Sequence, residues 1–202
     1  MNIIDALNFH SVFDAQTCQG EAIELYQAVI STAQGNVVEI GSACGGTTIV
    51  LIAAAEEVNK TVYSIDPYPT KELEGLALEY TEGLMQEFEA KFKENILDNG
   101  WKNIIQYKKK LKDCIDDLPD GLSVVFIDSC HELSYVLTDI DLIEPKMMKG
   151  GRIYLHDIFW ETGQISGLKS DGLYNAVDIL CKHKNAELFL VEGFPRMLRI
   201  NT

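Results

Sequence analysis

Val37-Val38-Glu39-Ile40-Gly41-Ser42-Ala43-Cys44-Gly45-Gly46-Thr47-Thr48 is the stretch whose reading decides the fold. Gly35 and Asn36 before it read as a turn, and Val37 to Ile40 as a short buried strand. Gly41, Gly45 and Gly46 permit a tight turn with close backbone approach. From Thr47 to Glu57, the Ile49-Val50-Leu51-Ile52 run and Ala53-Ala54-Ala55 predict a helix packed on a sheet. The loose N–H groups at the start of such a helix suit a polar or anionic ligand group. A glycine-rich turn can also serve the fold alone, but its place between a strand and a helix favours a ligand.

The spacing narrows the class. No Lys follows the second glycine pair, so the turn is not a phosphate-binding P-loop. Gly41 and Gly45 lie four apart, without the compact Gly-x-Gly-x-x-Gly of a dinucleotide turn. The segment resembles motif I, Glu-x-Gly-x-x-x-Gly, of the Rossmann-like S-adenosylmethionine (SAM) methyltransferases. That resemblance implies SAM as cofactor, with the glycines near its methionine and ribose part. Glu39, Gly41, Ser42, Gly45 and Thr47 are then cofactor-binding candidates, Glu39 orienting the turn or the methionine amino group.

A chain of 202 residues with 47% hydrophobic content fits one domain, residues 1–202, with an ample core. Its 31 acidic residues against 17 Lys plus Arg give a formal charge of −14, which argues against broad binding of nucleic-acid phosphates. A small neutral or cationic substrate is easier to accommodate, and plain solubility explains the charge as well. The five cysteines form no Cys-x-x-Cys pair. Their odd count and the lack of a signal sequence predict a reduced, cytoplasmic protein. No apolar run reaches membrane-spanning length, so no membrane partner is expected.

Residues 1–17 show no clear period and read as a short helix and loop forming a lid over the site, or as a terminal arm covering an apolar face in a homodimer. Glu21 to Thr32 predicts an amphipathic helix. Thr61 to Asp66 reads as the second strand, and an acid at its end, Asp66, can accept both ribose hydroxyl hydrogens. The bland alternative for Asp66 is a turn or helix cap. Residues 70–83 are acidic and read as a mobile cover, and residues 84–97 as a helix. Asn103 to Tyr107 is the third strand, and Lys108-Lys109-Lys110 a solvated patch rather than a phosphate site. Asp113 to Leu118 reads as a short helix and Leu122 to Ile127 as an apolar strand ending at Asp128. The helix Leu133 to Ile143 follows. Lys149-Gly150-Gly151 reads as a turn into the strand Arg152 to Leu155, which ends at His156-Asp157. A loop over 158–172, a helix over 173–181 and two closing strands, Glu187 to Val191 and Met197 to Ile200, complete the chain. The fold class is α/β: a Rossmann-like seven-stranded sheet with helices on both faces and an antiparallel closing strand.

Asp128-Ser129-Cys130-His131 and His156-Asp157 both follow apolar strands and emerge at the carboxyl edge of one sheet, where ligands bind in open α/β folds. Two strand-end carboxylates can share a divalent cation, Mg²⁺ or Mn²⁺, to which His156 would add a nitrogen. The same Asp can instead cap a helix, and His156 can bond to a loop. Phe126-Ile127-Asp128-Ser129-Cys130-His131-Glu132-Leu133-Ser134-Tyr135 resembles the Phe-Ile-Asp-Gly-x-His-x-x-Tyr segment of one class I SAM methyltransferase group. Asp139, Gly150-Gly151 and His156-Asp157 continue the pattern. The group includes metal-dependent O-methyltransferases of antibiotic and sugar biosynthesis. The resemblance implies that Asp128, His156 and Asp157 hold the metal and that His131 is the base, with Tyr135 and Asp139 supporting it. His156 departs from the acidic residue of that pattern.

A methyl sulfonium needs no enzyme nucleophile; it needs an acceptor oxygen aligned behind the methyl carbon with water excluded. The expected activity is therefore SAM-dependent O-methylation of a small hydroxylated molecule, a sugar or secondary metabolite, assisted by a divalent cation, with Asp128 and His131 catalytic. The alternatives are a metal-independent N- or O-methyltransferase, a non-catalytic Rossmann-like binding protein and, least favoured, an NAD-dependent oxidoreductase.

Overall fold

Alternation along the strands explains the layering. The structure, a computed structural model, describes residues 1–13, 15, 17–32, 34–68, 87–129, 133–156, 186–191 and 194–202. Helices α1 (Ile3–Val12) and α2 (Gln19–Ser31) precede β1 (Val37–Ile40), which leads through the glycine turn into α3 (Gly46–Glu57). Then come β2 (Val62–Ile65), a helix α4 described over 87–92 that relaxes into a π turn at Lys93–Leu97, and β3 (Ile104–Tyr107). Two 3₁₀ turns, Leu111–Asp113 and Ile115–Asp117, stand where one short helix was expected. The chain continues with β4 (Leu122–Ile127), α5 (Leu133–Ile143), β5 (Met147–Leu155), β6 (Ala186–Val191) and β7 (Phe194–Asn201).

The seven strands run in the order β3-β2-β1-β4-β5-β7-β6. The pairs from β3 through β5 are parallel, and β7 lies antiparallel to both β5 and β6. Val37, Val124, Phe126 and Tyr154 face one side, where they pack with α1, α2 and α3. Val38, Val125, Ile127 and Ile153 face the other, against Val136, Ile140 and Ile143 of α5. Such two-sided burial accounts for the predominantly apolar composition of β1 and β4, interrupted only at Glu39 and Ser123.

Residues 1–17 contain a ten-residue helix, α1, where a short helix was expected, started by Asn2, whose side chain accepts the Asp5 N–H at 3.0 Å. One expectation is corrected. Lys149-Gly150-Gly151 is not a turn before the fifth strand but an irregularity inside it. Leu122 pairs with Met147 while Val124 already pairs with Arg152, and the Gly150 N–H donates to the Thr202 carbonyl at 2.6 Å. The expected cover over 70–83 and the helix over 173–181 lie outside the described residues. Among the described residues no helix is long and apolar enough to cross a membrane.

Strand order reverses between β1, which continues outward to β2 and β3, and β4, which continues to β5. Open α/β sheets form a crevice at such a switch point, beyond the carboxyl ends of the strands. Gly41 and Asp128 follow the two strands that flank it.

Candidate cofactor and active site

Gly41 is placed there by two constraints. Its φ is +90°, and a Cβ added to it would lie 2.1 Å from the Asp128 carbonyl oxygen. Only glycine fits that approach between the two strand ends. Beyond it, the Ser42 and Ala43 N–H groups both donate to Asp66 Oδ2 at 3.0 Å, and the Tyr68 N–H donates to Asp66 Oδ1 at 2.9 Å. Tyr68 folds back, its hydroxyl donating to the Ala43 carbonyl at 3.0 Å, and Asn95 donates to the Cys44 carbonyl at 2.8 Å. Gly45 caps α3 with its N–H on the Ser42 carbonyl. Gly46 answers a different neighbour: its Cβ would fall 2.5 Å from Ala15. In this ligand-free arrangement the close approaches at Gly41 and Gly46 are therefore to protein.

Asp66 thus spends three of its four lone-pair positions on backbone donors, one remaining on Oδ1. Burial raises its pKa, opposed by the N–H groups of Tyr68, Ala43 and Ser42.

Glu39 lies within β1, fully buried. Thr48 donates to its Oε2 at 2.5 Å, while Oε1 has no hydrogen-bond partner among the described residues. Burial above all pushes its pKa up to about 8; the Thr48 hydrogen bond opposes this, and the charges of Asp128 and Asp66 add to it. A buried, singly partnered carboxyl is costly unless a donor meets it. Here Glu39 lines a small cavity of about 30 Å³, together with Gly41, Ala43, Gly46, Thr47 and Asp128. The first N–H groups of α3 open at the same place, because a helix leaves them without intrahelical acceptors.

On the other side of Gly41 lies a cleft of about 340 Å³. Ile40, Ile65, Pro67 and Leu111 give it apolar walls, and Tyr135 and Asp139 of α5 close it. Tyr135 is half exposed and so contributes little to helix packing. Asp139 accepts the Ser129 hydroxyl at 3.2 Å, and burial pushes its pKa up to about 6 against that bond. Of the basic run, Lys108 pairs with Glu89, Lys109 lies 3.5 Å from Asp117, and Lys109 and Lys110 edge the cleft.

At the β4–β5 edge, His156 is 3% exposed. Its Nδ1 lies 3.1 Å from Asp128 Oδ1 and its Nε2 3.3 Å from Oε2 of Glu21, a fully buried residue of α2. Glu21 Oε2 also accepts the Cys18 N–H at 2.6 Å. Asp128 and His156 are brought together as expected, but the imidazole spends both nitrogens on carboxylates and so turns no lone pair toward a cation. Among the described residues no group of three His, Cys, Asp or Glu side chains is arranged to hold a metal ion. His131 and Asp157 lie outside the described residues.

Three contributors had no mark in the sequence. Thr47, a candidate from the motif, has its hydroxyl 2.9 Å from that of Thr17, which lies 2.8 Å from His10 Nε2. Glu21 reaches His156 across 135 positions of chain. Burial lowers the His10 pKa, and the charge of Glu21 opposes it. No local period or motif connects residues so far apart.

A family model described as a methyltransferase domain matches residues 38–158, from β1 to just beyond β5. No curated protein matches the chain. Among solved structures, the chain is similar to the O-methyltransferase TomG from Streptomyces achromogenes, involved in tomaymycin synthesis and solved with SAM: 12% identity, TM-score 0.65, covering 99% of this chain and 89% of that one. It is similar to the Podospora anserina methyltransferase PaMTH1, solved with S-adenosylhomocysteine (SAH): 11% identity, TM-score 0.67, coverage 98% and 86%. It is also similar to a Bacillus cereus O-methyltransferase solved with SAH: 12% identity, TM-score 0.63, coverage 99% and 90%. At such identities the likeness is one of fold.

Proposed function

Because the chain belongs to the methyltransferase-domain family, we propose that it is a SAM-dependent O-methyltransferase acting on a small hydroxylated molecule, a sugar or secondary metabolite. The observation that carries this reading is the buried Glu39 Oε1, without a hydrogen-bond partner among the described residues, beside the opening of α3, with an apolar cleft across Gly41. SAM has the matching asymmetry. Its α-ammonium donates to Glu39, its carboxylate meets the α3 N–H groups and the Thr47 hydroxyl, and its adenosine fills the cleft. The remaining lone pair of Asp66 accepts one ribose hydroxyl. A nicotinamide dinucleotide, with its pyrophosphate, would bring anionic charge beside Asp66 and Asp128 and offer Glu39 no ammonium.

Methyl transfer forms a bond from the acceptor oxygen to the methyl carbon as the carbon–sulfur bond breaks. The sulfonium leaves as a neutral thioether, and the acceptor proton goes to a base. Asp128, lining the cavity and held by His156, orients the acceptor hydroxyl. His131, three residues after Asp128 in the sequence, is the base of this proposal, since imidazole takes a proton near neutral pH. A Mg²⁺ or Mn²⁺ ion on Asp128, His156 and Asp157 is the competing arrangement. His156, turned to two carboxylates, does not fit it as a ligand.

Calorimetry tests the reading. SAM and SAH should each bind, and NAD should not. NAD binding without either methylation cofactor would reject it.

A further inference from the structure

Resting on that cofactor assignment, we propose that His10, Ala15 and Thr17, from one short stretch of chain, are a working part of the SAM pocket. His10 and Thr17 are positioning residues that orient the Thr47 hydroxyl toward the amino-acid end of the cofactor.

The geometry is a buried relay running from one helix to another. His10, in the last turn of α1, is 5% exposed, Thr17 4% and Thr47 8%. The contacts are 2.8 Å from His10 Nε2 to the Thr17 hydroxyl and 2.9 Å from there to the Thr47 hydroxyl. A threonine hydroxyl is both donor and acceptor and rotates to suit its neighbours. Left alone at the start of α3, Thr47 would settle that rotation by turning back on its own helix. Tied to Thr17, which is tied to His10, it has one direction of the chain filled and presents its remaining hydrogen-bonding capacity elsewhere. Thr47 lines the cavity that Glu39 also lines.

A second contact makes the segment part of the wall. Ala15 lines the same cavity and leaves no room for a side chain at position 46, where a Cβ would lie 2.5 Å from both its Cα and its Cβ. The glycine at 46 thus admits this segment against the opening of α3. Phe13 and Ala6, buried in the core cluster shared with α3, anchor the segment from the other side. Cys18, next after Thr17, donates its N–H to Glu21, the carboxylate that meets His156. The segment therefore touches the pocket at Thr47 and at Gly46 and joins it to the far side through Glu21.

A plain packing role and a positioning role differ in which part of the cofactor feels a change. SAH carries the amino-acid end; 5′-methylthioadenosine has the same nucleoside and lacks it. Thr17→Val keeps the shape and removes the hydroxyl. Calorimetry with both ligands should show SAH weakened about 10-fold in Thr17→Val, with 5′-methylthioadenosine within about twofold of wild type. Thr17→Ser should restore SAH affinity. Thr47→Val should match Thr17→Val, and the double variant should lose little more than either single one, since both act through one contact. Thr17→Ala carries the same comparison should Thr17→Val not fold. Equal weakening of both ligands, or SAH affinity unchanged in a folded Thr17 variant, would overturn the proposal while leaving the cofactor assignment standing. Failure of wild-type protein to bind SAH would overturn both.

Discussion

Two strand-end aspartates, Asp66 after β2 and Asp128 after β4, stand on either side of the switch point and are held in opposite ways. Asp66 is fastened by backbone: the N–H groups of Ser42 and Ala43 from the glycine turn after β1, and that of Tyr68 from its own turn. Asp128 is fastened by a side chain, the His156 ring, which is itself backed by Glu21 from a helix on the other side of the sequence. A backbone-held carboxylate is as rigid as the turn and tolerates little change in the turn's shape. A side-chain-held carboxylate depends on distant packing and can be altered one atom at a time. Five measurements test this contrast.

Gly41 touches both systems, and its substitution should have the largest effect. Gly41→Ala drives a Cβ toward the Asp128 carbonyl at φ +90°, so it strains the turn and pushes the strand ends apart together. Chemical denaturation should show a loss of more than about 4 kcal/mol, or no folded protein. A stable Gly41→Ala protein with wild-type SAH affinity would break the account of the turn.

Glu39 lies between the two aspartates in charge as well as in space. Its folded pKa of about 8 lies above its ordinary 4.5, so the folded chain holds this proton more tightly than the unfolded one. That contribution is complete below pH 4.5 and is lost as pH rises through about 8. Ligand-free stability should fall across that window by an amount on the order of 2 to 4 kcal/mol, and Glu39→Gln should flatten the slope. A slope unchanged by the substitution would assign the proton elsewhere.

On the Asp128 side, His131→Gln should preserve folding and SAH binding while slowing methyl transfer about 100-fold, with the limb of the pH profile that reports deprotonation of the base, its acidic limb, lost. Single-turnover rates at saturating cofactor and acceptor decide this. Wild-type rates across the pH range would remove His131 as the base.

Asp66→Asn should act through the turn, weakening SAH about 10-fold and lowering stability by about 1 kcal/mol, because an amide presents one acceptor oxygen where the carboxylate has two. Affinity lost with no change in stability would mean that the ribose, not the turn, is its main partner.

The smallest effect is expected from chelation. With His156 turned to carboxylates, EDTA should leave both SAH affinity and methyl transfer within about twofold. A large loss restored by Mg²⁺ or Mn²⁺ would return a cation to the Asp128 side.

The contrast also explains which parts of the molecule were legible in the chain. Val37–Ile40, Leu122–Ile127 and Leu133–Ile143 have the bounds that their apolar runs predict, because strands buried on both faces and a helix with one buried stripe write their environment into local composition. The glycine turn was legible for the same reason: positive φ at Gly41 and Gly45, and close approach at Gly41 and Gly46, favour glycine at those positions. Gly150 was misread because a glycine pair marks a turn and an irregular strand alike, and only pairing with Leu122 and Val124 tells them apart.

Sequence by itself determined the α/β class, the strand-turn-helix that opens the site, and the acids at the ends of β2 and β4. These are short-range properties, in which each residue's type reports its own burial or backbone conformation. Tertiary structure alone decided what those groups meet. It turned Asp66 onto the N–H groups of the turn, His156 onto Asp128 and Glu21, and the Thr47 hydroxyl onto Thr17 and His10. The physical reason is that a hydrogen bond depends on direction and on a distance within a few tenths of an ångström. Residues up to 135 positions apart acquire that relation only when the packed sheet brings them together.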